Sequence, residues 1–233
     1  MLAKETLLRF LLPLYLLAPL VIGAPTAHAD PAILRVAVSK VGTVSWELDK
    51  IRHHGLDKAN GFSLEVQGVA GSAATLVAFQ GGKADVIVTD WLRVARQRAA
   101  NRDFVLIPYS RAVGALLVKS ESEAQSLADL RGAKIGIAGG PLDKSWLILR
   151  AYALQEYGMD LHAQTEQVFG APPLIFKTAL DGGVAGAINY WHFNAKMQTM
   201  GMRKLIAIDD AALALGLDLK TPLLGYVVTA ELL

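Results

Sequence analysis

Residues 132–157, GAKIGIAGGPLDKSWLILRAYALQEY, join a short β-branched run at 134–138 to an amphipathic helix from Ser145 through a Gly139-Gly140-Pro141 turn. A strand that reaches a helix through so few residues packs the helix back against its own sheet, and this pattern restricts the chain to α/β architectures. The junction also has chemical consequences. The glycines leave backbone room, and the first helical N–H groups are unpaired donors. Asp143, Lys144, Ser145 and Trp146 stand at this turn.

The same unit recurs along the chain. Strands are expected at 33–39, 62–69, 84–89 and 104–109, with helices at 45–58, 72–80 and 90–100 between them. A second series places strands at 134–138, 164–169, 185–190 and 204–208, and helices at 145–157, 172–181 and 192–200. Strands of this length alternating with helices predict mostly parallel sheets. Residues 113–119 read as an extended crossing segment, with a candidate hinge at 110–119. In the first helix Val44, Leu48 and Ile51 form one apolar stripe, and Trp46 lies off it. An internal echo joins AFQGGKADVIVTDW (78–91) to ALDGGVAGAINYW (179–191), as two similar lobes would.

The N-terminus reads as an export signal. Lys4 and Arg9 precede or flank an apolar run at 10–23, and Ala27-His28-Ala29 offers a cleavage site before Asp30. With Pro13 and Pro19 inside it, the run falls short of the roughly 20 residues that span a bilayer, so an uncleaved anchor is the weaker alternative. At the other end a strand at 225–229 is followed by only four residues, and the chain reads as truncated where a helix would begin.

Composition excludes several function classes. A net charge of +2, with scattered charges, gives no nucleic-acid footprint. The absence of cysteine rules out disulfides, a lipidated N-terminal Cys and thiol catalysis. GxxxxGK[ST] fails at Ala138 and Asp143, and neither GxSxG nor HExxH occurs. Asp90 and Asp143 are single carboxylates, too sparse for a metal site. His53-His54 reads as solvated surface.

All four tryptophans, Trp46, Trp91, Trp146 and Trp191, fall at strand-to-helix junctions, which in open parallel sheets are the ligand-binding ends. The reading is a shared cleft with at least two indoles exposed, against the alternative that each packs as core. Polar neighbours accompany them: Asp90 before Trp91, Asp143 to Ser145 before Trp146, and Asn189 and Tyr190 before Trp191, with His192 after it. Aromatic faces beside carboxylates suit planar or cationic ligands. Helix starts at Gly71-Ser72 and at Lys144-Ser145, with Thr43, suit an anion, and a zwitterion satisfies both sets. Plain N-capping is the competing role for Ser72 and Ser145.

With these residues in view, the chain resembles periplasmic solute-binding proteins of ABC importers, in the nitrate/sulfonate/taurine and thiamine-precursor-like group. LRVAVSKVGTVSW, VAGSAATLVAFQGGKADVIVTDW, SLADLRGAKIGIAGGPLDKSW, PPLIFKTALDGGVAGAINYWHF and GYVV carry the resemblance, in the family's order. It implies an α/β, two-lobed periplasmic binding protein of type II, each lobe a mostly parallel sheet with flanking helices and hinge strands between. The implied division is lobe 1 at 30–110, lobe 2 at 111–208 and a return towards lobe 1 at 209–233. It further implies a monomer that captures a small solute for an inner-membrane permease, without cofactor, metal or nucleic acid. The carried-over ligand positions are Gly42, Thr43, Trp46, Gly71, Ser72, Asp90 and Trp91 in the first lobe. In the second they are Asp143, Lys144, Ser145, Trp146, Asn189, Tyr190, Trp191 and His192. Gly186 stands where the family usually has an acidic residue. Enzymes resembling thiamine-pyrimidine synthases share the scaffold but are cytosolic and Cys-rich; an exported accessory protein docking on an oxidoreductase or sensor is the other alternative.

Overall fold

The computed structural model describes residues 31–218 and 220–233, so the export segment expected at 1–29 lies outside the described residues. The first series runs β1 (Ala32–Ser39), α1 (Val44–His53), α2 (Leu56–Ala59), β2 (Phe62–Val69), α3 (Ser72–Gln80), β3 (Val86–Asp90), α4 (Trp91–Ala99) and β4 (Phe104–Ser110). The chain then crosses to β5 (Ala115–Lys119), followed by a 3-10 turn at Leu127–Leu130 and β6 (Lys134–Ala138). Beyond these come α5 (Lys144–Tyr157), α6 (Leu161–Gln164), β7 (Glu166–Gly170), α7 (Pro172–Leu180), β8 (Gly186–Asn189), α8 (Trp191–Thr199), β9 (Met202–Ala207), α9 (Ile208–Ala214) and β10 (Leu224–Thr229).

Two five-stranded sheets result, in the orders β2-β1-β3-β10-β4 and β7-β6-β8-β5-β9. Each carries one reversed strand. β10 is antiparallel to both β3 and β4, and β5 is antiparallel to both β8 and β9, whereas β1 pairs β2 and β3, and β6 pairs β7 and β8, in parallel. The reversed strands are the two that arrive from the other lobe. A strand that enters where its neighbours end has to run against them. The segment expected as a bare crossing, 113–119, therefore becomes an interior strand of the second sheet, and its residues 115–118 are buried.

Alternation along each strand sorts the cores. In the first sheet Val36 and Val38 pack with Leu48, Leu64 and Val228 on the α1 face, while Ala37 meets Phe79, Ile87, Val94 and Val227 on the α3–α4 face. In the second, Leu116 and Val118 join Ile135, Ile137, Leu149 and Ile208, and Ala115 and Leu117 join Ile175, Ala179 and Met197. Full burial of each large aliphatic chain contributes about 1.5–3 kcal/mol.

Three elements differ from the sequence reading. Gly55, at φ +63°, breaks the expected 45–58 helix into α1 and α2. Helix α6 precedes β7, where strand was expected from 164. Helix α9 replaces the start of the expected return: Ile208, Ala211 and Ala212 pack in the second-sheet core, so the chain rejoins the first sheet at Leu224 rather than near 209. Both reversed strands begin beside a glycine that admits no side chain. A Cβ on Gly114 lies 2.0 Å from the Asn189 carbonyl oxygen, and one on Gly225 lies 2.6 Å from that of Ile107. The echo at 78–91 and 179–191 falls on α3–β3–α4 and α7–β8–α8, whose strands occupy the same third place in their sheets.

Candidate functional site

A cavity of about 140 Å³ lies between the lobes, floored by the ends of β1, β3, β4 and β8 and by the crossing residues Ala112, Val113 and Gly114. Its volume is close to that of an engineered cavity that binds benzene, so it admits a solute of about six to eight non-hydrogen atoms.

From the first lobe come Gly42 and Thr43 of the β1–α1 turn, Ser72 and Thr75 of α3, and Asp90 and Arg93. Helix α3 opens at Gly71 with no side-chain cap and no acidic residue in its first turn, which leaves the electropositive end formed by its first N–H donors without a side-chain anion. Helix α4 differs: the Asp90 carboxylate accepts from the Arg93 N–H at 2.8 Å, and Arg93 Nε lies 3.9 Å from its other oxygen.

From the second lobe come Asp143, Lys144 and Ser145 of α5, and Asn189, Tyr190, Trp191 and His192 around the start of α8. Asp143 is the N-cap of α5, accepting from the Ser145 N–H at 2.9 Å and the Trp146 N–H at 3.2 Å. This corrects the expectation that Ser145 caps the helix and that its N-terminus, with Lys144, is open to an anion; the anion it holds is its own aspartate. Burial pushes the Asp143 carboxyl above the usual carboxylate range, and Asp90 adds repulsion, against the stabilising charge of Lys144. Asn189 is spent on structure. Its side chain donates to the Pro172 carbonyl at 3.0 Å and accepts from the Tyr190 N–H at 2.8 Å.

Contacts across the cleft hold the lobes together. His192 Nε2–H donates to the Val41 carbonyl at 2.8 Å, an assignment forced because a carbonyl only accepts. Trp46 meets Trp191 edge-on, with ring centroids 6.5 Å apart, and meets His192 at 5.8 Å. Ser72 is hydrogen-bonded to the Tyr190 phenol, whose pKa is pushed up to about 12 by burial and by Asp143. Burial holds His192 below its ordinary 6.5.

Eleven of the fifteen sequence-expected positions thus line one cavity, and Trp46, Gly71, Trp91 and Trp146 do not. Trp46 (57% exposed) closes the rim with Trp191 (42% exposed). Gly71 only begins α3. Trp91 starts a first-lobe helix yet packs on the second-lobe core, and Trp146, 1% exposed, is core of the second lobe. A ligand-stacking role for Trp146 is therefore corrected to a packing role. Sequence reading passed over Arg93, Thr75, Ser39 and Tyr109, which line the cavity. Arg93 had a signal, its place one helical turn after Asp90; the others required the fold. Among the described residues no cluster of three or more His, Asp or Glu side chains is placed to hold a metal, and no helix is long and apolar enough to cross a membrane.

The family model described as NMT1/THI5 like matches residues 52–222. No curated protein matches the sequence significantly. Among solved structures, the chain is similar to the periplasmic aliphatic sulphonate-binding protein SsuA of Escherichia coli, with a TM-score of 0.65 and 20% identity over 86% of this chain and 62% of that one. It is similar to the alkanesulfonate-binding protein SsuA of Xanthomonas axonopodis pv. citri, bound to MOPS, with a TM-score of 0.68 and 19% identity over 88% of this chain and 68% of that one. A putative sulfonate-binding SsuA of Methylobacillus flagellatus KT gives 0.60 and 19%, over 87% and 63%. At these identities the likeness is one of fold: two mixed sheets with flanking helices. The chain spans about two thirds of the length of these relatives.

Proposed function

The chain belongs to the NMT1/THI5-like family, and from that premise we propose that it is the substrate-binding component of an ABC-type importer. It is exported to the periplasm, with cleavage after Ala29, and works as a monomer. There it captures a small organic solute (a sulfonate, an amine or a heteroaromatic compound) between its lobes and delivers it to an inner-membrane permease. We divide the chain into a first lobe at 30–110 completed by the strand from Leu224, and a second lobe at about 111–223, longer than the expected 111–208 because α9 packs in the second-sheet core. The observation that carries this reading is the cavity itself, lined from both lobes and bridged by His192, Tyr190 and Trp191.

The mechanism is hinge closure. The lobes are joined by the crossings at 111–114 and 215–223. A solute that contacts both faces stabilises the closed state in proportion to its differential affinity for it. Thr43, Ser72, Asp90 and Arg93 act from the first lobe, and Asp143, Lys144, Tyr190 and His192 from the second. The role proposed for them is binding.

Native mass spectrometry of protein purified from the periplasm should detect a bound solute. Closure moves Trp46 and Trp191 together, so intrinsic fluorescence should respond to titration with that solute or with members of a panel of sulfonates, amines and pyrimidines. A flat response to the whole panel and no copurified solute would sink the proposal. Copurification with an oxidoreductase or sensor instead of a permease would favour an accessory role.

A further inference from the structure

Two carboxylates line the cavity, and they belong to opposite lobes: Asp90 caps α4 on the first sheet and Asp143 caps α5 on the second. As caps, both are pinned by backbone N–H groups and are not free to swing away from one another. Both therefore face the one cavity from opposite sides, and Asp143, raised chiefly by burial, is raised further by the charge of Asp90.

The neighbouring cations offset this repulsion only in part. Arg93 Nε, at 3.9 Å from Asp90, forms an ion pair with it but lies beyond hydrogen-bond distance, and is buried without a hydrogen-bond partner. Lys144 moderates Asp143 without cancelling its displacement. A further acceptor belongs to a residue lining the same cavity. His192 is 9% exposed and lends its N–H to Val41, so its Nδ1 is a bare acceptor, buried and without a partner.

Resting on the solute-binding reading above, we propose that the solute carries an amino nitrogen, cationic or strongly polarised, held between Asp90 and Asp143 with His192 Nδ1 as a further acceptor. Arg93 and the open start of α3 are left to take an acceptor or anionic part of the same molecule. The nitrogen is then the group that couples occupancy to closure. It relieves repulsion between the two carboxylates, and it contacts each lobe through a different one.

The test uses three pairs of near-isosteric probes that exchange an amino group for a methyl group: 2-aminoethanesulfonate and propane-1-sulfonate, 3-aminopropanoate and butanoate, and 4-aminopyrimidine and 4-methylpyrimidine. Calorimetric titration of the wild-type chain should show the amino member of at least one pair bound about tenfold more tightly or better. Asp143→Asn and Asp90→Asn keep a capping oxygen at each helix start, so far-UV circular dichroism should be unchanged. Both variants should lose most of the preference, read as the ratio of amino to methyl affinity within a pair, so that any general loss of binding cancels. Equal wild-type affinities within every pair that binds overturn the assignment and leave the solute-binding reading standing. A preference that survives in both variants does the same, as does a copurified solute without an N–H donor. Binding of none of the six, together with no copurified solute, removes the solute-binding reading and this one with it.

Discussion

Replacing Trp146 by alanine separates packing from ligand grip more sharply than any other substitution in the chain. The indole is 1% exposed and sits in the first turn of α5 against the main core of the second lobe. A buried tryptophan removes about 150–250 Å² from water, worth about 4–6 kcal/mol at 25 cal/mol per Å². Partial collapse around the vacated site brings the expected loss to about 3–5 kcal/mol. Trp46 is the control. It is 57% exposed, so its transfer contribution is about 1.5–2.5 kcal/mol. Its edge-on contact with Trp191, of about 0.5–1.5 kcal/mol, joins the two lobes and acts on closure rather than on the integrity of either. Urea unfolding followed by circular dichroism should therefore move the Trp146→Ala midpoint down by about 2 M, at a slope of about 2 kcal/mol per M. Trp46→Ala should move it by about 1 M or less and weaken solute binding as well. Equal midpoints for the two variants, or a Trp146→Ala protein within about 1 kcal/mol of the parent, would show that Trp146 is not packed as described.

Three further outcomes can be measured directly. Burial lowers the His192 pKa below its ordinary 6.5, so the closed form favours the neutral ring; its contribution is complete above that value and is lost as pH falls through the lowered one. Lys196 on the same helix reinforces the shift, and Asp90, Arg93, Asp143 and Lys144 line the shared cavity. X-ray scattering should show the chain expanding between about pH 7.5 and 5, and His192→Gln, which still donates to Val41 but does not titrate, should flatten that profile; an unchanged profile in the variant would remove the latch. Gly114→Ala places a methyl group 2.0 Å from the Asn189 carbonyl oxygen and should lower the melting temperature by about 6 °C or more; normal melting would disprove the close approach. Glu47 accepts from Tyr109 at 2.7 Å and Tyr226 at 3.2 Å, and burial together with its charge pushes Tyr226 up to about 12. In Glu47→Gln the ultraviolet titration of Tyr226 should move back towards 10, and an unmoved titration would mean burial alone sets it.

The strand-to-helix junctions were the most legible part of the site, because glycine turns and capping residues act over a few neighbouring positions. The α1 stripe of Val44, Leu48 and Ile51 likewise foretold the exposure of Trp46, since polar residues mark the opposite face. Trp146 was not legible in the same way. Helix α5 is apolar on several sides, so periodicity could not say which side met the sheet, and a junction position alone favoured the cleft. The direction of β5 and β10 also lay beyond local pattern: a strand is reversed by where its chain enters the sheet, not by its own residues. Asp143 and Ser145 are adjacent capping candidates, and only the observed bonds to the Ser145 and Trp146 amides decide between them. Helix α9 lacked a side-chain cap at Ala207, and its first turn was absorbed into the preceding apolar strand.

The pairing of Ser110 with Leu224 has a consequence for the history and the engineering of the chain. Everything from 111 to 223 departs from and returns to neighbouring strands at a single rung, so the second lobe is a parenthesis inside a hairpin. Closing β4 directly onto β10 with a two-residue turn would preserve every strand neighbour of the first sheet. Half of the molecule is in this sense a cassette, open to exchange without reordering the half that carries it.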